Sequence, residues 1–298
     1  MNNIRIVNSV SSGYSSVMMA IKMKEWYPDA EIINIMANTS REREESLIFM
    51  DKCDKHYNLN LVWVEAEINQ EPNKGTRHVV KTFETLTRDG SVFESGIMKY
   101  GIPSKVNKWC NRELKLSAIH SYLLNGIEWG HFGKDYITAI GIRADEIDRV
   151  SSKRKEFKLL YPLAERGITK EDRNRFWSNQ PIEIGLPGFL GNCKFCQEKT
   201  NRKLATEYLM HPEDLKWNLD MQSKYSNVIK PSSPSYNSFI EKDGGHYQLR
   251  GNRPWQDIID LSKTKFTKAT DDYIYINDLF DSGGSCDQGC NIFEHLEK

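Results

Sequence analysis

The chain has 298 residues, and its 41 Lys and Arg balance 41 Asp and Glu, so the formal net charge is zero. A neutral chain has no overall field that attracts nucleic acid or an anionic membrane, so charge does not indicate a nucleic-acid acceptor. No apolar run approaches the roughly 18 to 20 residues that span a bilayer, and residues 1–5 lack a signal-peptide pattern. We therefore expect a cytoplasmic protein without a membrane partner. Homo-oligomerisation is left open.

Short apolar segments alternate with helical patterns in the first half of the chain. Strands are predicted at residues 4–7, 31–37, 61–64 and 136–141. This alternation predicts an α/β fold, with a mainly parallel twisted sheet and helices on both faces. Ligands of such sheets bind beyond the carboxyl ends of the strands. We predict a main α/β domain over residues 1–210 and a small irregular appendage over residues 211–298.

A serine-rich loop, Ser11-Ser12-Gly13-Tyr14-Ser15-Ser16, follows the first predicted strand. Small residues between a strand and a helix let the backbone approach a ligand, and the helix N-terminus favours an anion. The serine hydroxyl groups add hydrogen-bond donors. The alternative is that the loop only caps the helix, as many Ser/Gly turns do.

Two further segments follow predicted strands. Asn38 and Thr39 come after the second strand, and Thr39 and Glu42 have the spacing of a capping box, which predicts a helix start. Arg143 and Arg149 come after the fourth strand, where guanidinium groups are suited to hold sulfate or phosphate through two hydrogen bonds. A second basic cluster contains Arg112 and Lys115.

Six cysteines suggest metal or redox chemistry, because structural disulfides are rare in a reducing cytosol. Cys53 stands alone in a predicted helix, and we expect it to be buried and inert. The candidate metal ligands are Cys110, Cys193, Cys196, Cys286 and Cys290. Four of them, the pairs Cys193/Cys196 and Cys286/Cys290, suit a tetrahedral zinc site. Free thiols are the third interpretation.

Three motifs, in this order, resemble the phosphoadenylyl-sulfate (PAPS) reductase branch of the PP-loop, or adenine nucleotide alpha-hydrolase, superfamily. The serine loop resembles the pyrophosphate-binding loop Ser-Gly-Gly-x-Asp-Ser, with Ser12 for the first Gly and Ser15 for Asp. Residues 37–46 resemble the family's Asn/Asp-Thr segment ahead of an acidic helix. The spacing of Gly141, Arg143, Glu146 and Arg149 resembles its Gly-x-Arg-x-x-Glu-x-x-Arg substrate motif. The resemblance covers about residues 4–205.

The resemblance implies an enzyme of sulfur metabolism that binds an adenine nucleotide: PAPS, adenylyl sulfate or ATP. Arg143 is then also a catalytic candidate. The implied nucleotide-binding residues are Ser11, Ser12, Gly13, Ser15, Ser16, Asn38, Thr39, Arg112, Lys115, Gly141, Arg143, Glu146 and Arg149.

The same resemblance bears on the cysteines. In adenylyl-sulfate reductases with an iron–sulfur cluster, a Cys-Cys pair ahead of Arg-Lys and a later Cys-x-x-Cys bind the cluster. Here Cys110 is followed by Cys193-x-x-Cys196, but Trp109 replaces the partner cysteine, so Cys286 or Cys290 would supply the fourth ligand. Trp109 is a candidate to shield a cluster or stack on a nucleobase. A flexible segment at 281–285 precedes Cys290, the candidate nucleophile, whose product a thioredoxin-like reductant would cleave.

Two alternatives to a reductase stay open. One is an ATP-dependent adenylating sulfurtransferase that acts on nucleic acid or a small acceptor. The other is a non-catalytic protein that binds or senses an adenine nucleotide. Ser15 in place of Asp favours the reductase over the sulfurtransferase, whereas the C-terminal sequence departs from the reductase motif.

Overall fold

A computed structural model describes residues 4–104, 108–130, 135–191, 193–226 and 253–270. Within these ranges, six strands form a single sheet in the order β4-β3-β2-β1-β5-β6. Their bounds are β1 Arg5–Ser9, β2 Glu31–Asn38, β3 Val62–Ile68, β4 Thr76–Lys81, β5 Ile137–Ala139 and β6 Leu159–Leu160. Neighbouring strands are parallel, except that β3 and β4 are antiparallel. The predicted α/β fold with a mainly parallel sheet is confirmed.

Ten α-helical segments lie within the described residues. They are α1 Tyr14–Trp26, α2 Glu44–Tyr57, α3 Ser91–Tyr100, α4 Trp109–Asn111, α5 Ala118–Ser121, α6 Pro162–Glu165, α7 Lys170–Ser178, α8 Asn201–Met210, α9 Leu215–Tyr225 and α10 Gln256–Ser262. Two π-helical segments, Arg112–Ser117 and Tyr122–Gly126, join α4 and α5 into one helix, called here the 109–126 helix. None of the described helices has the length and apolar character needed to cross a membrane.

Helices cover both faces of the sheet. Successive strand residues point to opposite faces, so alternate residues pack against different helices. Val7, Ile35 and Val64 pack with residues of α3, the 109–126 helix and α9. Their neighbours Met36 and Trp63 pack with α1, α2 and α7 on the other face. The central strands are therefore buried on both sides, as expected for a parallel sheet.

Two strands were not predicted from the sequence. Strand β4 reads Thr-Arg-His-Val-Val-Lys and lies at a sheet edge, where Val79 and Val80 are exposed, so it lacks a buried apolar pattern. Strand β6 has two residues and is too short to give one. The fourth predicted strand is real but shorter than expected, since β5 ends at Ala139.

Helix α9 belongs to the main core. Its Met221 and Tyr225 share a buried cluster with Val7 of the central strand β1. Tyr225 also donates a hydrogen bond to Glu94 of α3 at 2.8 Å. Residues 215–225 therefore pack on the sheet domain, and the division of the chain at residue 210 stays a prediction.

Candidate functional site

The serine loop lies at the carboxyl end of β1 and leads into α1. Gly13 is the N-cap of α1 and supplies no side chain, so the plain capping interpretation does not describe this loop. The hydroxyl of Ser16 instead closes the loop internally: it donates to the Ser11 carbonyl at 2.5 Å and accepts from the Ser11 N–H at 3.0 Å. Ser16 therefore shapes the loop. Ser11 and Ser12 line a cleft beside it.

The arginine motif reaches this loop through one contact. Because β5 pairs with β1, the chain leaves β5 next to the serine loop, and Arg143 Nη1 donates to Ser15 Oγ at 3.1 Å. The same guanidinium holds Asp145 through two hydrogen bonds, at 2.9 and 2.8 Å. Glu146 pairs with both Arg143, at 3.2 Å, and Arg149, at 2.5 Å. The motif is thus a compact ion-pair cluster at the rim of the loop.

Charges in this cluster reinforce one another. Burial lowers the pKa of Arg143, but the hydrogen bonds that it donates to Asp145 and the charge of Glu146 outweigh that effect, so the pKa is raised overall. Burial likewise raises the pKa of Asp145, and its bond to Arg143 reverses the effect, so that pKa is lowered. Both groups are charged at neutral pH. An incoming anion would share Arg143 with the two carboxylates.

The cleft beside the loop has a volume of about 380 Å³. The residues that line it come from β1, the serine loop, β2, the segment after β2, and the 109–126 helix: Ser9, Val10, Ser11, Ser12, Met36, Ala37, Glu42, Lys115 and Ile119. The cleft therefore lies at the carboxyl edge of the sheet, where the sequence places it. Among the described residues that line the cleft, Lys115 is the cation and Glu42 is the anion.

Asn38 is the last residue of β2 and Thr39 follows it, and their side chains have different partners. The buried Asn38 amide donates to Glu65 at 2.6 Å and to the Thr87 carbonyl at 2.8 Å, so it ties the end of β2 to β3 and to the segment at Thr87. Thr39 bonds Glu42 through both its N–H and its hydroxyl, each at 2.9 Å. The predicted helix start is wrong: α2 begins later, at Glu44, because Glu42 is held in this turn.

Three of the predicted metal ligands line one cavity. Cys110, Cys193 and Cys196 all contribute to the wall of a second cavity, of about 660 Å³, called here the thiol cavity. Cys193 Sγ lies 3.2 Å from Thr39 Oγ1, and Gln197 Nε2 lies 3.6 Å from Cys110 Sγ. The cysteine turn therefore contacts both the segment after β2 and the 109–126 helix. Cys53 is buried elsewhere, as expected.

The three thiols of this cavity are not arranged as a preformed metal site. Among the described residues, the His, Cys, Asp and Glu side chains with three ligand atoms within 4.8 Å of one another are His211, Glu213 and Asp214. The three cysteines do not form such a group. Soft thiolates suit zinc or an iron–sulfur cluster chemically, but further sulfurs would have to come from elsewhere. Cys286, Cys290 and the 281–285 segment lie outside the described residues.

A buried ion network holds the Cys193–Cys196 turn in place. Glu207 of α8 pairs with Arg43 at 2.8 Å and with Lys199 at 2.9 Å. It also accepts the N–H of Phe195 at 3.0 Å, from the middle of the turn. Phe195 has φ +49°, a left-handed conformation that this hydrogen bond helps to hold. The segment after β2 and the cysteine turn are thereby fixed to one carboxylate.

The two residues of the second basic cluster, Arg112 and Lys115, have different surroundings. Lys115 lines both cavities, so the two cavities adjoin at this residue. Arg112 lines neither and instead pairs with Glu113 at 2.7 Å. Trp109 also lines neither cavity: it is buried, and its Nε1 donates to the Gly101 carbonyl at 2.9 Å. Trp109 is a core residue that lines neither cavity, and the stacking and shielding roles considered from the sequence stay predictions.

Arg41 and its neighbours were not singled out by the sequence. Arg41 lines the thiol cavity with its guanidinium 4.1 Å from the centre of the Trp217 ring. Its Nη2 donates to Asn218 Oδ1 at 2.9 Å, across 177 positions of sequence. No local pattern could reveal such a contact, since its partners come from a distant helix.

Comparisons with known proteins give one similarity. The chain is 28% identical over 206 residues to the uncharacterized nin region protein ORF290 of Escherichia phage lambda, which covers 68% of each chain. No protein-family model and no solved structure matches. The residues of the two cavities are therefore the evidence for function.

Proposed function

We propose that this chain is a PAPS reductase-like enzyme of the PP-loop superfamily, which binds PAPS, adenylyl sulfate or ATP in the cleft beside the serine loop. The observation that carries the proposal is the shared wall at Lys115. A nucleotide whose phosphate lies at the serine loop would direct its reactive end toward a cavity that contains Cys110, Cys193 and Cys196. This arrangement suits the transfer or reduction of a sulfur group.

The anion site has support from local geometry. The first N–H groups of α1 have no partners within the helix and lie at the positive end of its dipole. Arg143 contacts Ser15, so a guanidinium stands at the rim of the loop. Lys115 adds a second cation across the cleft. Ser11, Ser12 and Gly13 would contact a phosphate, and Arg143 with Arg149 would bind phosphate oxygens at the rim of the loop. The sulfate or terminal phosphate would then lie toward Lys115 and the thiols.

A metal centre at the thiols is part of the proposal. Cys193 and Cys196, with Cys110 or the tail cysteines Cys286 and Cys290, would hold zinc or an iron–sulfur cluster. Zinc would tie the tail to the core, and a cluster would supply electron transfer. A thiol not used for metal, first of all Cys290, would be the nucleophile that a thioredoxin-like protein regenerates.

Isothermal titration calorimetry tests the nucleotide assignment. PAPS, adenylyl sulfate and ATP are titrated into the full chain and into the variant Arg143→Ala. We expect the variant to lose about 1.5 to 3 kcal/mol of binding free energy, the contribution of a charge-assisted contact. Arg175→Ala is the matched control, because this arginine is 75% exposed on α7. Undiminished binding by Arg143→Ala would contradict the assignment of Arg143.

The order of the three affinities separates the function classes. Preference for PAPS or adenylyl sulfate over ATP supports the reductase. Preference for ATP supports the adenylating sulfurtransferase instead. Binding without turnover in the presence of a thiol reductant and an acceptor supports a sensing role.

A further inference from the structure

The thiol cavity has the lining of a small-molecule site in its own right, since such sites combine apolar walls with a few polar groups. Phe93, Trp217 and Met221 give it an apolar wall. Its charged lining among the described residues consists of three cations, Arg41, Lys115 and Lys194, with no Asp or Glu. An apolar ligand with negative charge fits this lining.

Arg41 is the feature that points to an anion. It is 7% exposed, and within the described part of the chain no carboxylate forms an ion pair with its guanidinium. Among the described residues, the hydrogen bonds of the guanidinium come from one nitrogen, Nη2, to Asn218 Oδ1 at 2.9 Å and to the Asp214 carbonyl at 3.5 Å. The nearby Arg43 is different, because it is paired with both Glu207 and Asp214. A buried charge without a counter-ion is costly.

The electrostatics of Arg41 agree with this geometry. Burial lowers the pKa of its guanidinium, and the charges of Cys193, Asp214, Glu42 and Glu207 oppose the shift without cancelling it. The cation is therefore less stable than in water. An acidic group brought into the cavity would supply the missing counter-charge.

We propose that this cavity binds a small molecule with an aromatic or aliphatic body and one acidic group, the acid on Arg41 and the body against Trp217 and Phe93. The body would then lie beside Cys110, Cys193 and Cys196, which line the same cavity. Its further role, as the acceptor of the nucleotide reaction, rests on the proposed function, because the two cavities adjoin at Lys115.

Calorimetry on the full wild-type chain tests the charge requirement without a variant. The probes are 1-naphthoate and its neutral analogue 1-naphthalenemethanol, which have the same ring system. We expect 1-naphthoate to bind at one site per chain, with an affinity at least about tenfold higher than that of the alcohol. No binding of 1-naphthoate, or equal affinity for the two probes, would overturn the proposal.

Variants assign the binding to this cavity. Arg41→Met should reduce the affinity for 1-naphthoate to that for the neutral alcohol, whereas Arg88→Met should leave it unchanged. Arg88 is the matched control, because its guanidinium also lies over an aromatic ring, Phe83, at 5.0 Å, but outside the cavity. Equal affinity of the folded Arg41→Met variant and the wild type would place the probe elsewhere. Circular dichroism checks that both variants fold. If Arg41→Met does not fold, the comparison of 1-naphthoate with the alcohol on the wild-type chain still tests the proposal.

A parallel titration with PAPS, adenylyl sulfate and ATP separates this proposal from the proposed function. If 1-naphthoate binds and none of the three nucleotides does, the acid site is supported and the nucleotide site is refuted. Binding of a nucleotide without 1-naphthoate would do the reverse.

Discussion

Gly141 lies directly against the backbone of Ser16, so closely that a Cβ atom at Gly141 would stand 2.8 Å from Ser16 Cα and 3.1 Å from Ser16 N. The parallel pairing of β5 with β1 creates this approach. Since the clash would be with backbone at both points, only a residue without a side chain lets the arginine motif reach the serine loop.

Gly141→Ala should therefore displace the serine loop. We expect a loss of about 1 to 3 kcal/mol in unfolding free energy from overpacking, and weaker nucleotide binding. Gly75→Ala is the control, because a Cβ atom there has no other atom within 4 Å. Urea unfolding and calorimetry measure the two effects. Normal nucleotide binding by a folded Gly141→Ala protein would mean that the loop does not need this approach.

Glu207→Gln should strongly destabilise the fold. The carboxylate of Glu207 is fully buried with Lys199 and Arg43, and loss of its charge removes the buried counter-charge that the two cations share, with Asp214 still paired to Arg43. Removal of one partner from a buried pair costs about 3 to 5 kcal/mol. Asp220→Asn makes the same chemical change in a pair whose side chains are 78% and 54% exposed, where less than about 1 kcal/mol is expected. Urea unfolding of both variants checks the difference, and equal losses would contradict the account of the network.

The buried thiol of Cys53 should lower the unfolding free energy at high pH. Burial raises the pKa of its thiol from the ordinary value of 9.0 to about 12. Above pH 9 the unfolded chain releases this proton and the folded chain keeps it, so stability falls as pH rises. Between pH 8 and 10 the wild type should lose about 1.4 kcal/mol more unfolding free energy than Cys53→Ala. Identical pH dependence of the two proteins would show that the thiol titrates normally.

Anaerobically purified protein should contain zinc or iron, and Cys193→Ser should lose it. An iron–sulfur cluster gives a brown protein with broad absorption, whereas zinc gives a colourless protein that a chelator destabilises. Cys53→Ser is the control, since Cys53 is buried away from the thiol cavity. If the wild type contains neither metal and Cys193 and Cys196 react freely with a thiol reagent, the metal site is wrong.

The sequence predicted those parts of the fold that depend on local pattern. The buried strands, the α/β alternation and the serine loop after β1 all follow from apolar spacing and small residues. Strand β4 escaped prediction because its Val79 and Val80 are exposed at an edge. The internal bonding of Ser16 was also hidden, since a hydroxyl group serves a ligand or a loop equally well.

The thiol cavity shows the limit of sequence patterns more clearly. The spacing of Cys193 and Cys196 drew attention to sulfur, and the structure brings Cys110 to the same cavity. The contact of Arg41 with Asn218 depends on how α9 packs, and no periodicity encodes it. Long-range contacts of this kind decide which charged residues face a cavity and which form ion pairs.

A co-crystal structure with adenylyl sulfate would show whether the cleft beside the serine loop is the nucleotide site. We predict the nucleotide in the cleft between the serine loop and Lys115, with a phosphate oxygen within hydrogen-bonding distance of residues 11–14 and the sulfate toward Lys115 and the thiol cavity. A nucleotide bound elsewhere on the chain, or an empty cleft at saturating adenylyl sulfate, would contradict it.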